Sequence, residues 1–166
     1  MLRTCLAAVA VVISAQALAD ESYPTNECIS SLGEDVRLTI IADKVALARS
    51  DQTGTEMLGL DRQATDRERQ ALQLWSKLRQ FCFDLGAEFR AGLANQEQAA
   101  LAGRLFDLHQ ALLGELREGR ISYAEFNGRR VELYLIASSL EAQMVERREQ
   151  TTSPQSPALS SGQSEI

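Results

Sequence analysis

The sequence contains few of the residues on which metal sites and catalytic sites depend. His109 is its single histidine, which excludes a histidine-rich zinc site and the paired Glu-x-x-His motifs of a di-iron bundle. There is no Cys-x-x-Cys-His motif for covalent haem and no Gly-x-Ser-x-Gly turn for a catalytic serine. His109 is expected to lie at the edge of the core and to form a hydrogen bond there. The alternative is that it binds a noncovalent haem together with a methionine. We therefore expect that the protein is not an enzyme and that it has no catalytic residue, no metal and no cofactor.

Proline and alternating patterns are also scarce. Pro24 precedes the first predicted helix, and Pro154 and Pro157 lie near the C-terminal end. No segment alternates polar and apolar residues with a sustained period of two, so strands have little support. Apolar residues recur instead at steps of three and four, which predicts an all-α fold, a compact bundle of about four helices.

An excess of positive charge is missing as well, because the chain carries a formal net charge of −6. Nucleic acids and anionic membranes both reward clustered positive charge, so neither is an expected partner. After the first nineteen residues, no apolar segment approaches the length of a transmembrane helix, and no integral membrane span is expected.

The first nineteen residues have the pattern of a removable export signal. Arg3 supplies the positive start, residues 5–14 form a short apolar run, and Ala17-Leu18-Ala19 matches a signal-peptidase site. We predict cleavage between Ala19 and Asp20 and a periplasmic or secreted mature protein. The predicted divisions are a signal peptide at 1–19, a helical domain at 20–149 and a disordered tail at 150–166, where Ser, Thr, Gln and Pro dominate.

Cleavage would leave two of the three cysteines, Cys28 and Cys82. An even pair in an exported chain predicts a disulfide, and two free thiols are the alternative. Because Cys28 lies early in the first predicted helix and Cys82 late in the second, the bond would make these two helices antiparallel.

Four helices are predicted, and two of them begin at a capping box. Thr65 with Glu68 and Ser122 with Glu125 have the spacing of that motif. The short link before Ser122 predicts an antiparallel hairpin of the third and fourth helices. The second and third helices could instead form one helix kinked at Gly92. The predicted bounds are about Asn26–Arg49, Thr65–Ala91, Gln96–Glu118 and Ser122–Glu149.

The segment around Ser122 resembles the second half of an EF-hand calcium loop, with Glu125 in the bidentate position. The first half does not fit. The first and third loop positions should supply oxygen ligands, but they are occupied by Gly114 and Leu116, whose side chains have no oxygen. The capping box explains the same residues, so no calcium site is predicted.

Three polar residues lie on apolar helix faces and form a predicted buried network: Asp43, His109 and Arg129. An isolated buried charge is unfavourable, so Asp43 and Arg129 are expected to pair, unless both reach water at the edge of a narrow core. Phe83 lies off the apolar face of its helix. It is either covered by the connector that carries Met57, Leu58 and Leu60, or exposed as a partner contact.

These features favour a non-enzymatic binding module that uses a helix face as an adaptor, inhibitor or chaperone-like protein. Its partner would be an envelope or secreted protein. A small-molecule or cofactor carrier with a pocket between helices, around His109, Asp43 and Arg129, is the alternative. A subunit of an envelope assembly is a further alternative.

Overall fold

The computed structural model of this protein describes residues 24–93 and 96–152. The predicted signal peptide, its cleavage site and the predicted tail beyond Thr152 lie outside the described residues. Gln150 and Thr151, predicted to belong to the tail, are helical.

Helices account for all regular secondary structure among the described residues, and the predicted all-α fold is confirmed. Residues 24–93 and 96–152 form six α-helices, α1 to α6 in chain order, with three short 3₁₀ helices in the connections at Leu32–Glu34, Val36–Ile41 and Ser50–Gln52. The α-helices are α1 Pro24–Ser31, α2 Thr55–Leu58, α3 Asp66–Leu85, α4 Ala87–Gly92, α5 Gln96–Arg117 and α6 Tyr123–Thr152.

The first helix ends at Ser31, and the prediction that it continues to Arg49 is wrong. Asp35 has an extended backbone, and its carboxylate accepts a hydrogen bond from the Arg37 backbone N–H at 2.9 Å. Aspartate competes in this way with helical hydrogen bonding and here begins a 3₁₀ turn. Val36, which a continuous helix would place on the same apolar face as Ile40, is 84% exposed, while Leu38 is fully buried.

The disulfide between Cys28 and Cys82 is present, with the two Cα atoms 5.3 Å apart. One helical turn away, Gly86 lies against Thr25. Residue numbers therefore rise along α1 as they fall along α3, which confirms the predicted antiparallel arrangement. The bond fastens α1 to the late part of α3.

The second predicted helix is interrupted at Gly86 and resumes as α4. A Cβ atom at position 86 would overlap Oγ1 of Thr25 and lie 3.3 Å from its Cβ. Glycine therefore lets α1 approach the junction of α3 and α4. Beyond it, α4 ends at Gly92 and Leu93 is extended, so the predicted second and third helices are separate.

We expect Gly86→Ala to lower the free energy of unfolding by about 2 kcal/mol, because the added methyl group collides with a buried side chain. Adding Thr25→Ala should recover part of the loss, since it removes the overlapping oxygen. Chemical denaturation of both variants measures the effect. Gly103→Ala is the matched control: its Cβ would meet nothing within 4 Å inside α5, so it should stabilise slightly. Equal behaviour of the two alanine variants would contradict the close approach.

The last two helices form the predicted antiparallel hairpin. Ser122 caps α6 by accepting a hydrogen bond from the Glu125 backbone N–H at 3.2 Å. The Glu125 carboxylate turns to Arg129 at 2.5 Å instead of back to the cap. At the far end, Arg147 of α6 pairs with Glu97 of α5 at 3.3 Å, so the two helices stay adjacent along their lengths.

The core surrounds Trp75, which is fully buried and donates from Nε1 to the Leu47 carbonyl at 3.1 Å. Helix periodicity predicts three further buried residues on the hairpin, but they are exposed: Leu108 at 52%, Ile136 at 48% and Leu140 at 39%. They lie on the side of α5 and α6 that faces away from the core. The core that includes Trp75 also contains these fully buried residues: Leu38, Ile41, Val45, Leu72, Cys82, Leu116, Tyr123 and Phe126.

Candidate functional site

The predicted pair of Asp43 and Arg129 does not form. The Asp43 carboxylate is 74% exposed and pairs with Lys44 at 2.5 Å. Arg129 is exposed and pairs with Glu115 at 3.0 Å and with Glu125. The prediction was wrong because the helix that carried Asp43 on its wheel ends early. Of the predicted network, only His109 is buried.

His109 lies instead in a cluster with two arginines that the sequence interpretation missed. Arg79 comes from α3, His109 from α5 and Arg130 from α6. All three surround the Trp75 ring: Cζ of Arg79 lies 5.6 Å and Cζ of Arg130 lies 5.2 Å from its centroid, and the His109 ring lies 5.6 Å away. We call Arg79, His109 and Arg130 the cationic cluster. It joins three helices around the buried Trp75 ring.

Several nitrogen atoms of the cationic cluster have no hydrogen-bond partner among the described residues. They are Nε and Nη1 of Arg79, Nε of Arg130 and both ring nitrogens of His109, all of them buried. Arg130 does donate from Nη1 to the Ala46 carbonyl at 2.5 Å. A buried donor without a partner costs about 1–3 kcal/mol, so the cluster holds more donors than the protein itself uses.

The cluster combines two cations with a neutral imidazole at neutral pH. Burial lowers the pKa of Arg79 to about 10. Burial and the nearby charge of Arg79 lower the pKa of Arg130 to about 9. Burial, together with both arginines, holds the pKa of His109 well below its usual 6.5. The site therefore carries positive charge that is largely shielded from solvent.

A cavity of about 220 Å³ lies between α1, α3, α5 and α6 and includes the cationic cluster in its wall. Among the described residues that line it, none is acidic. Tyr134 is the exposed lining residue, at 38%, and marks the opening to solvent. The apolar lining residues are Ile29, Phe83, Ala102, Leu105, Phe106, Leu133 and Ala137. The arrangement suits a molecule with an apolar body and a negatively charged group.

Phe83 lines this cavity, and its predicted role as a partner contact stays a prediction. It is half-buried and stacks on Phe106, with ring centroids 4.1 Å apart and planes 13° apart. The Arg90 guanidinium carbon lies 3.6 Å from the Phe83 ring centroid. The predicted connector does not cover it: at Met57 that segment is held to α6 by Asn127, whose Nδ2 donates to the Met57 carbonyl at 3.0 Å.

A sequence signal for the two arginines existed. Arg79 follows Trp75 by four residues and precedes Cys82 by three, and Arg130 stands in the same relation to Phe126 and Leu133. Helix periodicity therefore places both arginines on the buried faces of their helices. The spacing marks a charged residue on each face, but Arg129, three residues after Phe126 and four before Leu133, fits it as well as Arg130 does.

Neither a metal site nor a membrane-crossing helix is found in residues 24–93 and 96–152. No group of three or more His, Cys, Asp or Glu side chains there could hold a metal ion. None of the helices described has both the length and the apolar character needed to cross a membrane.

Comparison with known proteins does not extend this description. No protein-family model, curated protein or solved structure matches the chain.

Proposed function

We propose that this protein is a non-enzymatic carrier or receptor for a small anionic molecule, which it binds in the cavity beside Arg79, His109 and Arg130. The observation that carries the proposal is a set of buried, unpartnered nitrogen atoms in the wall of an apolar cavity that contains two cations and no acidic side chain. An anion would supply the missing hydrogen-bond acceptors and the missing negative charge.

The free energy of the cluster supports a role in binding. A buried charge without a partner opposes folding, and apolar residues of similar volume would be more stable in its place. Stacking against Trp75 offsets part of this penalty, because a guanidinium within about 6 Å of a ring centroid gains cation–π energy. This contact uses the face of the guanidinium and leaves the N–H donors at its edge for a ligand.

The proposed location is the periplasm or the extracellular space, reached after cleavage between Ala19 and Asp20. The Cys28–Cys82 disulfide supports this location, since structural disulfides persist mainly in oxidising compartments. Sequencing the N-terminus of the protein from a periplasmic fraction tests it, and a chain that still begins at Met1 would contradict it.

We expect Arg79→Met to stabilise the ligand-free protein by about 1–2 kcal/mol, because methionine fills the space without placing a charge in it. Urea denaturation measures this value. The protein is first unfolded and refolded, so that it is free of ligand. The matched control is Lys77→Met, which removes the same charge from an exposed position on the same helix and should change stability by less than about 0.5 kcal/mol. A strong loss of stability in Arg79→Met would show that the guanidinium is structural and would contradict the proposal.

Native mass spectrometry gives an independent test. Protein purified without denaturation should carry a small bound mass that is released as an anion on unfolding, and Arg79→Met should lack it. The same spectrum tests the further alternative of an envelope-assembly subunit, which would be isolated with other chains.

The second candidate function is a binding module that uses a helix face for an envelope or secreted protein. Exposed aliphatic residues on the outer side of the α5–α6 hairpin favour it, among them Leu135 at 60% and Val145 at 53%. A photo-crosslinking residue placed at Leu135 should give one adduct of defined mass in the periplasm. A control at Leu58, 42% exposed on α2, should give none; equal labelling at both positions would indicate nonspecific contact.

A further inference from the structure

We infer that the bound anion is an aromatic monocarboxylate about the size of benzoate, with its carboxylate against Arg79, Arg130 and His109 and its ring among the apolar residues of the cavity. The inference rests on the proposed function, because it identifies the chemical class of the ligand for the same cavity.

The volume of the cavity limits how much of a ligand it can enclose. A benzene ring occupies a cavity of about 150 Å³. The cavity here measures about 220 Å³, which leaves room for a ring and a substituent of about three atoms. Dinucleotides, haem and long-chain lipids are too large to be enclosed. A single ring with one acidic group fits.

The available donors match a carboxylate. Arg79 offers Nε and Nη1, Arg130 offers Nε, and the neutral His109 offers one N–H, all without partners among the described residues. A carboxylate has about four lone-pair positions on two oxygens, which matches the number of these donors. Charge-assisted hydrogen bonds of this kind are about twice as strong as neutral ones.

The apolar part of the cavity favours a ring. The stacked pair of Phe83 and Phe106 forms one part of the wall. Phe106 is 8% exposed and one face of its ring is held against Phe83, so this part of the wall is fixed in position. Aromatic rings gain contact energy from edge-to-face or offset packing against such a surface. A flexible chain of the same size would lose more conformational freedom on binding.

Isothermal titration calorimetry of the disulfide-bonded mature protein tests the inference with four probes: benzoate, benzamide, heptanoate and inorganic phosphate. Benzamide has the shape of benzoate without its charge, heptanoate has the charge without the ring, and phosphate has charge without an apolar body. We expect one benzoate to bind per protein, benzamide to bind about 30-fold more weakly, and heptanoate about tenfold more weakly.

Two variants connect the binding to the cavity. Arg79→Met should weaken benzoate binding about 30-fold, while Lys77→Met should leave it within about twofold. Ala102→Leu should abolish binding by filling the apolar part without touching the cationic cluster, and thermal unfolding verifies that each variant is folded.

Any other outcome overturns the inference. The outcomes also distinguish a wrong ligand class from failure of the proposed function. Equal affinity for benzamide would show that the carboxylate is not recognised. Heptanoate or phosphate binding as tightly as benzoate would exclude the ring while leaving an anion-binding cavity. If no probe binds, the ligand class is wrong, and the bound mass and the stability of Arg79→Met then decide the proposed function separately.

Discussion

Removal of the Cys28–Cys82 disulfide is expected to lower the free energy of unfolding by about 4 kcal/mol. The two cysteines are 54 residues apart in sequence, and a loop of that length loses about this much conformational entropy in the unfolded chain when it is closed. Denaturant unfolding of the oxidised protein and of the Cys28→Ser, Cys82→Ser double variant measures the difference. A loss below about 1 kcal/mol would show that α1 docks without the bond.

The same bond should support ligand binding. Thr25 and Ile29 of α1 line the cavity, and the disulfide fastens α1 between them, at Cys28. We therefore expect the double variant to bind the cavity ligand more weakly than the oxidised protein. The wild-type chain treated with reductant is the matched control, because it has the same sequence as the oxidised form and lacks only the bond.

Local sequence signals predicted the helix ends that side chains determine by themselves. The Thr65 hydroxyl and the Glu68 carboxylate form the complete capping box at the start of α3. Ser122 likewise caps α6. These interactions involve residues three apart in the chain, so they need no tertiary information. The disulfide could also be predicted, because the export pattern left two candidates.

The first helix could not be predicted by periodicity. A wheel places Val36 and Ile40 on one face only if the chain stays helical, and the Asp35 carboxylate stops it by bonding to the Arg37 backbone. Aspartate occurs both within helices and at their ends, so the pattern alone does not decide between the two. The error carried forward to Asp43, whose predicted position depended on that helix.

The candidate site was predicted only in part for a related reason. His109 lies at the buried centre, as its place on the α5 face indicates, but its partners are Arg79 and Arg130 instead of Asp43 and Arg129. Arg129 and Arg130 are neighbours in sequence, and a rotation of α6 by one residue decides which is buried. That rotation is set by the packing of Phe126 and Trp75, with ring centroids 6.2 Å apart, which the sequence does not contain.

Glu68 has a tertiary role beyond the capping box. Its side chain is 6% exposed and its carboxylate receives two hydrogen bonds from Arg62, at 2.7 and 2.8 Å. Nζ of Lys44 lies 3.8 Å away. The Arg62 carbonyl in turn accepts from the Tyr123 backbone N–H at 3.0 Å. Through these contacts Glu68 connects α3 to the preceding loop and, by way of Arg62, to the start of α6.

We expect Glu68→Gln to lower the free energy of unfolding by about 3 kcal/mol at neutral pH, because it leaves the charges of Arg62 and Lys44 without their buried partner. The glutamine keeps the shape of the side chain and can still accept from the Thr65 backbone. Asp66→Asn is the matched control, since it removes a carboxylate from the same helical turn at a position 97% exposed. It should change stability by less than about 0.5 kcal/mol.

The effect of Glu68→Gln should also depend on pH in a defined direction. The hydrogen bond from Arg62 is the main cause that lowers the pKa of Glu68 from 4.5 to about 2 in the folded protein. As the pH falls, the unfolded chain binds its proton first, so the stabilisation is complete above about pH 4.5 and is lost between pH 4.5 and about pH 2. Denaturation at neutral pH and at about pH 3 should therefore show the wild type approaching the Glu68→Gln variant. A difference between the two proteins that is constant over this range would contradict a stabilising role for the ionised carboxylate.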